Sequence, residues 1–139
     1  MKMVIYTSYF ANLKNLPTNV IPISICGKAP DWYKGIQYKK FAPKYGFFME
    51  WKQNHDNIFY VDHFKDEVLS SLTPQKVISD LQALISAEIG EDVWENPDIA
   101  IALICYEKPS DFCHRHLVAE WLTDNGYKCE EWQSNVQKG

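Results

Sequence analysis

Between Ile101 and Gly126 the sequence reads IALICYEKPSDFCHRHLVAEWLTDNG. This stretch brings together Cys105, Tyr106, Glu107, Cys113, His114, Arg115 and His116, and Arg115 is the only arginine of the chain. A thiolate is a nucleophile and a soft metal ligand. Imidazole and carboxyl groups exchange protons near neutral pH, and a guanidinium holds phosphate or carboxylate in a planar fork. Cys113, His114 and Glu107 are therefore the candidate catalytic residues, and Arg115 with Cys105 and Tyr106 the candidate ligand contacts.

These residues need elements to position them. The near-continuous apolar run IAIALICYE, Ile99 to Glu107, predicts a central parallel strand covered on both faces. KPSD is a turn, FCHRHLVAEWLTDN a helix stopped at Gly126, and YKCEEW a strand nearer an edge. Upstream, MVIYT and VIPISIC read as strands, with Pro22 confining the second to an edge or a strand start. SYFANLKNLPTN between them reads as a loop with one helical turn, and GKAPDWYKG as a loop. In the aromatic-rich segment that follows, Tyr45, Phe48, Met49 and Lys52 share a helical stripe, weakened by Gly46. Val61 to Leu72 reads as a helix. Thr73 caps the next one, Pro74 opens it, Val77, Ile78, Leu81, Leu84, Ile85 and Ile89 form its apolar stripe, and Gly90 ends it. The tail QSNVQKG is expected to fray.

Strand, helix and strand joined by short links predict an α/β fold: one domain over residues 1–139, with a mainly parallel four- or five-stranded sheet flanked by helices, Rossmann-like. In such sheets ligands bind beyond the carboxyl ends of the strands, here Cys105-Tyr106-Glu107. The first amides of the following helix lack partners and carry partial positive charge, which suits an anion. At about 100° per residue, Leu117, Val118, Trp121 and Leu122 define the buried face, His114 falls at its centre, and Cys113 and Arg115 fall on its flanks. His116 points to solvent on this wheel. Cys113, His114 and Arg115 are thus expected to converge above Glu107. Taken singly each residue has a structural reading: a half-buried histidine, a small buried thiol, a surface ion pair of Arg115 with Asp111 or Glu120, a turn glutamate.

The chain has 139 residues, 46% hydrophobic and 23% charged, which fits a globular chain and not a disordered one. No apolar run approaches the ~18 residues of a membrane span, and MKMVIYTSYF lacks the pattern of a secretory signal, so a cytoplasmic protein is expected. Four cysteines without a CxxC pair are expected to be free thiols, with Cys105 and Cys129 as buried small residues. Six lysines (Lys28, Lys34, Lys39, Lys40, Lys44, Lys52) precede a segment from Asp56 to Asp98 in which ten acids face Lys65 and Lys76. The net charge of −4 opposes tight non-specific DNA binding and leaves room for a local basic patch.

Three chemistries compete. Metal binding is not expected: His114 and His116 diverge by roughly 200° on the wheel, no HxxxH or deaminase-type motif is present, and only His114 with the two cysteines is workable. Cysteine catalysis lacks its usual arrangement, because Cys113 and His114 diverge by about 100° and Cys105 stands too far before Arg115 for a phosphatase-type loop. Anion or nucleotide binding fits best. The lysine-rich segment holds eight aromatics (Trp32, Tyr33, Tyr38, Phe41, Tyr45, Phe47, Phe48, Trp51), and aromatics interleaved with lysine suit bases stacked beside phosphates. Most of them also read as core. Trp32 and Tyr33, after the second strand, are the stacking candidates, with Lys28 beside them. Thr7, Ser8 and Tyr9, after the first strand, are expected at the same sheet end.

The run LICYEKPSDFCHRHLVAEWL resembles the family catalogued as domain of unknown function 488, whose members carry a Leu-Cys-x-Glu strand end and a Cys-His-Arg helix start. The matching positions are Cys105, Glu107, Cys113, His114 and Arg115. YTSYFANLKNLP and IPISI also resemble a branch of that family. Many members carry an arginine after the second strand, where SICGKAP here offers Cys26 and Lys28. The resemblance implies a site at these residues and no particular reaction. The expected ligand is a phosphate-containing small molecule or a nucleic-acid end, bound without a cofactor and open to processing. The alternatives are a module that sequesters a signalling nucleotide or docks a protein without turnover, and a redox or metal protein using Cys105 and Cys113.

Overall fold

The structure, a computed structural model, describes residues 3–133. Of the tail expected to fray, all but Gln133 lies outside the described residues. Five strands form one parallel sheet in the order β3-β2-β4-β1-β5: β1 Val4–Tyr9, β2 Val20–Ser24, β3 Ile36–Gln37, β4 Ala100–Cys105 and β5 Cys129–Glu131. Every residue of β4 is buried, as its unbroken apolar run requires of a central strand. Ile101, Leu103 and Cys105 face the larger hydrophobic cluster, and Ala100, Ala102 and Ile104 face the smaller one.

The connections decide which face carries helices. From β3 to β4 and from β4 to β5 the chain crosses the sheet in the same direction. Right-handed crossovers therefore put α1 (Tyr45–Asn54), α2 (Asn57–Glu67), α3 (Pro74–Ile89) and α4 (His114–Asp124) on one face. The link from β1 to β2 runs the opposite way and crosses the other face, which Phe10 and Leu13 of a 3-10 turn, Phe10–Asn15, cover together with Tyr33 from the link between β2 and β3. This makes an α/β, Rossmann-like sheet with α-helices on one side.

Several local expectations shift. β1 runs through Ser8 and Tyr9, which the sequence places after the strand. Pro22 does not make β2 an edge. Ile25 N donates to Ile104 O, so by alternation the Pro22 nitrogen faces away from β4, and β3 begins only opposite Ile23. No ladder bond is lost there. α2 starts at Asn57 because the Asp56 carboxylate accepts from the amides of Ile58 and Phe59, and the chain tightens into a 3-10 turn at Leu69–Ser71 before Leu72. α3 matches its sequence signals: Thr73 caps the amide of Lys76, and Val77, Leu81 and Ile85 are fully buried, each contributing about 1.5–3 kcal/mol. In α1 the buried side chain is Phe47, outside the stripe read from the sequence, while Tyr45 and Met49 are exposed. Among the described residues no helix is long and apolar enough to cross a membrane.

Candidate functional site

β2 and β4 are neighbours, so the segments after them, Cys26-Gly27-Lys28 and Cys105-Tyr106-Glu107, lie side by side at the carboxyl end of the sheet. The Tyr106 hydroxyl donates to Lys28 O at 2.7 Å and ties the two segments together. Helices α1 and α2 close the opposite wall, and a cleft of about 470 Å³ opens between them. Tyr45, Phe48, Trp51, Tyr60, Tyr106 and Phe112 line it, with Pro43 and Lys28, and Cys26, Cys105, Glu107, Cys113 and His114 complete it. Trp51, Tyr60 and Phe112 pack as a triangle with ring centroids 5.0–5.7 Å apart.

α4 begins at His114, with Cys113 as the residue before its first turn and Phe112 outside it. This start places Cys113 and His114 against the end of β4. Cys105, Cys113 and His114 are all buried, and one donor atom from each lies within 4.8 Å of the others. His114 Nε2 lies 2.8 Å from Ile25 O, and since a carbonyl only accepts, Nε2 is the protonated nitrogen. Cys105 Sγ sits 3.5 Å from both ring nitrogens.

The cluster divides its protons unevenly. Hydrogen bonding from Cys105 holds the Cys113 thiol well below its usual range; burial opposes this, and His114 and the Arg115 amide reinforce it. Cys105 is pushed well up, first by burial and then by Cys113. Burial and then the Cys113 charge raise Glu107 from its ordinary value. Within the cluster the thiolate is thus favoured at Cys113 over Cys105, and Glu107 is shifted toward its protonated form.

Arg115 departs from expectation. It is the largest fully buried side chain and points away from the cleft. Its Nε and Nη2 donate to the two oxygens of Glu131 at 3.1 Å each, Nη1 donates to Glu107 O at 2.6 Å, and Tyr9 lies under its face. Burial alone would weaken its charge, but Glu131 outweighs this, so the guanidinium stays charged. Arg115 thus buckles α4, the Glu107 turn and β5 together. The wheel put it on a flank because a wheel does not show that β5 returns beside β1 with a carboxylate. His116 is likewise half-buried, its Nε2 shielded from solvent, and not on an open face.

Of the other candidates, Lys28 and Tyr106 line the cleft, whereas Thr7, Ser8, Tyr9, Trp32 and Tyr33 do not. Thr7 donates to Glu131 and Ser8 accepts from Asn12, both buried in β1. Tyr33 donates to Ile36 O at 2.7 Å, and Trp32 is exposed, edge-on to Phe10 on the other face of the sheet. The aromatic lining of the cleft instead comes from α1, α2 and the segment between β4 and α4. Tyr45, Phe48 and Trp51 recur every three residues, a spacing that could have flagged them. Tyr60 and Phe112 carry no such signal. All four cysteines are free thiols and buried.

Residues 8–126 match the family model DUF488-N3a, described as the active DUF488-N3 subclade. The chain belongs to the DUF488 family. The match takes in every DUF488 residue that lines the cleft, and the resemblance seen at Cys105, Glu107, Cys113, His114 and Arg115 lies within it. Glu131, which holds Arg115, lies beyond it. No curated protein and no solved structure matches the chain.

Proposed function

We propose that the cleft binds a phosphate-containing ligand, a nucleotide or a nucleic-acid end, and that processing takes place at the end formed by Cys113, His114 and Glu107. The observation that carries this reading is the composition of the cleft. Six aromatic residues surround a volume of about 470 Å³, within the usual range for small-molecule sites, and Lys28 is its one lysine or arginine among the described residues. A flat heteroaromatic ring stacks on such walls, and a phosphate is drawn to Lys28 and the amides opening α4. Arg115 has no part in this binding, since Glu131 already occupies its fork. The description of the subclade as active accords with a working site.

The test is a binding panel on the full chain: nucleosides, mono- and diphosphates, dinucleotides, and short oligonucleotides with and without terminal phosphate, read by thermal shift and calorimetry. Phosphorylated members are expected to bind more tightly than nucleosides. Trp51→Ala should weaken the best ligand by roughly 10- to 100-fold, matching about 1–3 kcal/mol per stacked base. Lys28→Ala should remove the gain from phosphate. No binding by any member, or unchanged affinity in Trp51→Ala, overturns the reading. Mass spectrometry after prolonged incubation separates processing from sequestration: product that disappears in Cys113→Ser supports an enzyme, and unchanged ligand supports a non-catalytic module.

A further inference from the structure

Two buried thiols and an imidazole meet at the wall of the cleft, where a strand end faces a helix start. Cys105 is the last residue of β4, and Cys113 and His114 open α4. The Ile25 carbonyl accepts a hydrogen bond from Nε2–H of His114, which leaves Nδ1 as the unprotonated nitrogen of the ring, 3.5 Å from Cys105 Sγ. A backbone carbonyl on the far nitrogen is the usual support of a metal-ligating histidine.

The spacing can be compared with a tetrahedral centre. Bonds of about 2.3 Å to sulfur and about 2.0 Å to nitrogen place a sulfur and a nitrogen ligand about 3.5 Å apart, and two sulfurs about 3.8 Å apart. Cys105 Sγ is 3.5 Å from His114 Nδ1, already that edge. With both sulfurs and a ring nitrogen of His114 inside 4.8 Å of one another, the Cys113 sulfur closes its edges by a shift on the order of 1 Å.

We propose that Cys105 Sγ, Cys113 Sγ and His114 Nδ1 bind a soft divalent cation, zinc foremost, with the fourth position open to the cleft. Two thiolates select against magnesium and calcium. On binding, each thiol that arrives protonated releases its proton, two metal–sulfur bonds and one metal–nitrogen bond form, and two buried negative charges are matched by the cation. Three protein ligands with one exchangeable position are the composition of catalytic zinc centres, and Glu107 lines the cleft beside that position. The sequence reading did not expect a metal and left His114 with the two cysteines as the only workable set; the spacing of their donor atoms is what brings that set forward. It goes beyond the nucleotide reading and does not depend on it.

The test uses the full chain, reduced, freed of metal by chelation, and no nucleotide. Titration with Co²⁺ alone should give thiolate charge-transfer absorption and visible bands of tetrahedral intensity, saturating at one equivalent and lost on adding Zn²⁺. Cys113→Ser, Cys105→Ser and His114→Gln should each weaken binding at least about 10-fold, while Cys129→Ser should not. Since Cys105 is a core residue and its variant can fail to fold, a second measurement stands beside it. Zn²⁺ should protect Cys105 and Cys113 of the native chain from alkylation, with peptide mapping as the readout. Absent cobalt bands in the folded native chain, or alkylation of Cys113 unchanged by Zn²⁺, overturns the site.

Discussion

Replacing Arg115 with methionine tests whether its charge holds the fold or greets a ligand. The guanidinium is fully buried and makes three hydrogen bonds, two to the Glu131 carboxylate and one to Glu107 O. Methionine fills much of the volume, so the loss is chiefly electrostatic. Removing one partner of a buried pair costs about 3–5 kcal/mol, because the other charge is left without compensation. The Glu131 side chain keeps 16% exposure and can recover some water, which places the cost near the low end, about 3 kcal/mol. For a chain of this length that is a fall in Tm of about 10 °C. Urea unfolding followed by circular dichroism gives the number. Arg115→Met/Glu131→Gln removes both charges and keeps an acceptor for Thr7, so it should be more stable than Arg115→Met by at least about 1 kcal/mol. Stability of Arg115→Met within about 0.5 kcal/mol of the native chain, or strict additivity in the double variant, would refute the buckle. Intact stability with abolished ligand binding would return the guanidinium to the cleft.

Asp80 accepts from the Tyr38 hydroxyl and lies beside Lys40 and Lys76, and these contacts, Tyr38 first, hold its carboxyl at about 2, below the ordinary 3.8. A lowered folded pKa adds stability above the ordinary value, and that stability is lost as pH falls from about 4 to about 2; Asp80→Asn should flatten this stretch of the acid-unfolding curve. Gly126 sits at φ +91 after α4, so Gly126→Ala should cost about 1 kcal/mol in urea unfolding, and an unchanged midpoint would contradict the backbone conformation. Tyr106→Phe removes the link to Lys28 O at the mouth of the cleft; ligand affinity should fall several-fold while stability drops by only about 1 kcal/mol, as fits a half-exposed hydroxyl. Equal affinity in Tyr106→Phe would mean that the two loops keep their spacing without it.

Much of the architecture could be read from periodicity and punctuation. The apolar run before Cys105 forces a doubly covered strand, the Thr73-Pro74 start and Gly90 stop bound α3, and short links between strand and helix leave a parallel sheet as the solution. The site was readable to the extent that it is local. Cys105, Glu107, Cys113 and His114 come together because one strand passes into one helix through a short turn, and a turn of that length leaves them little freedom.

What the sequence could not decide depended on partners distant along the chain. Arg115 and His116 could be placed on a helical wheel, but whether a flank is open depends on what packs there, and the closure by Glu131 of β5 follows from the strand order β4-β1-β5. The same holds for the aromatic wall. The sequence reading put Trp32 and Tyr33 ahead of Phe48 and Trp51 as stacking candidates, yet crossover handedness sent the former to one face of the sheet and the latter to the other. Local sequence fixes which groups a strand end and a helix start present; the order and hand of the connections, set by burial summed over the whole chain, decide which of them meet a cavity and which are sealed against a neighbour.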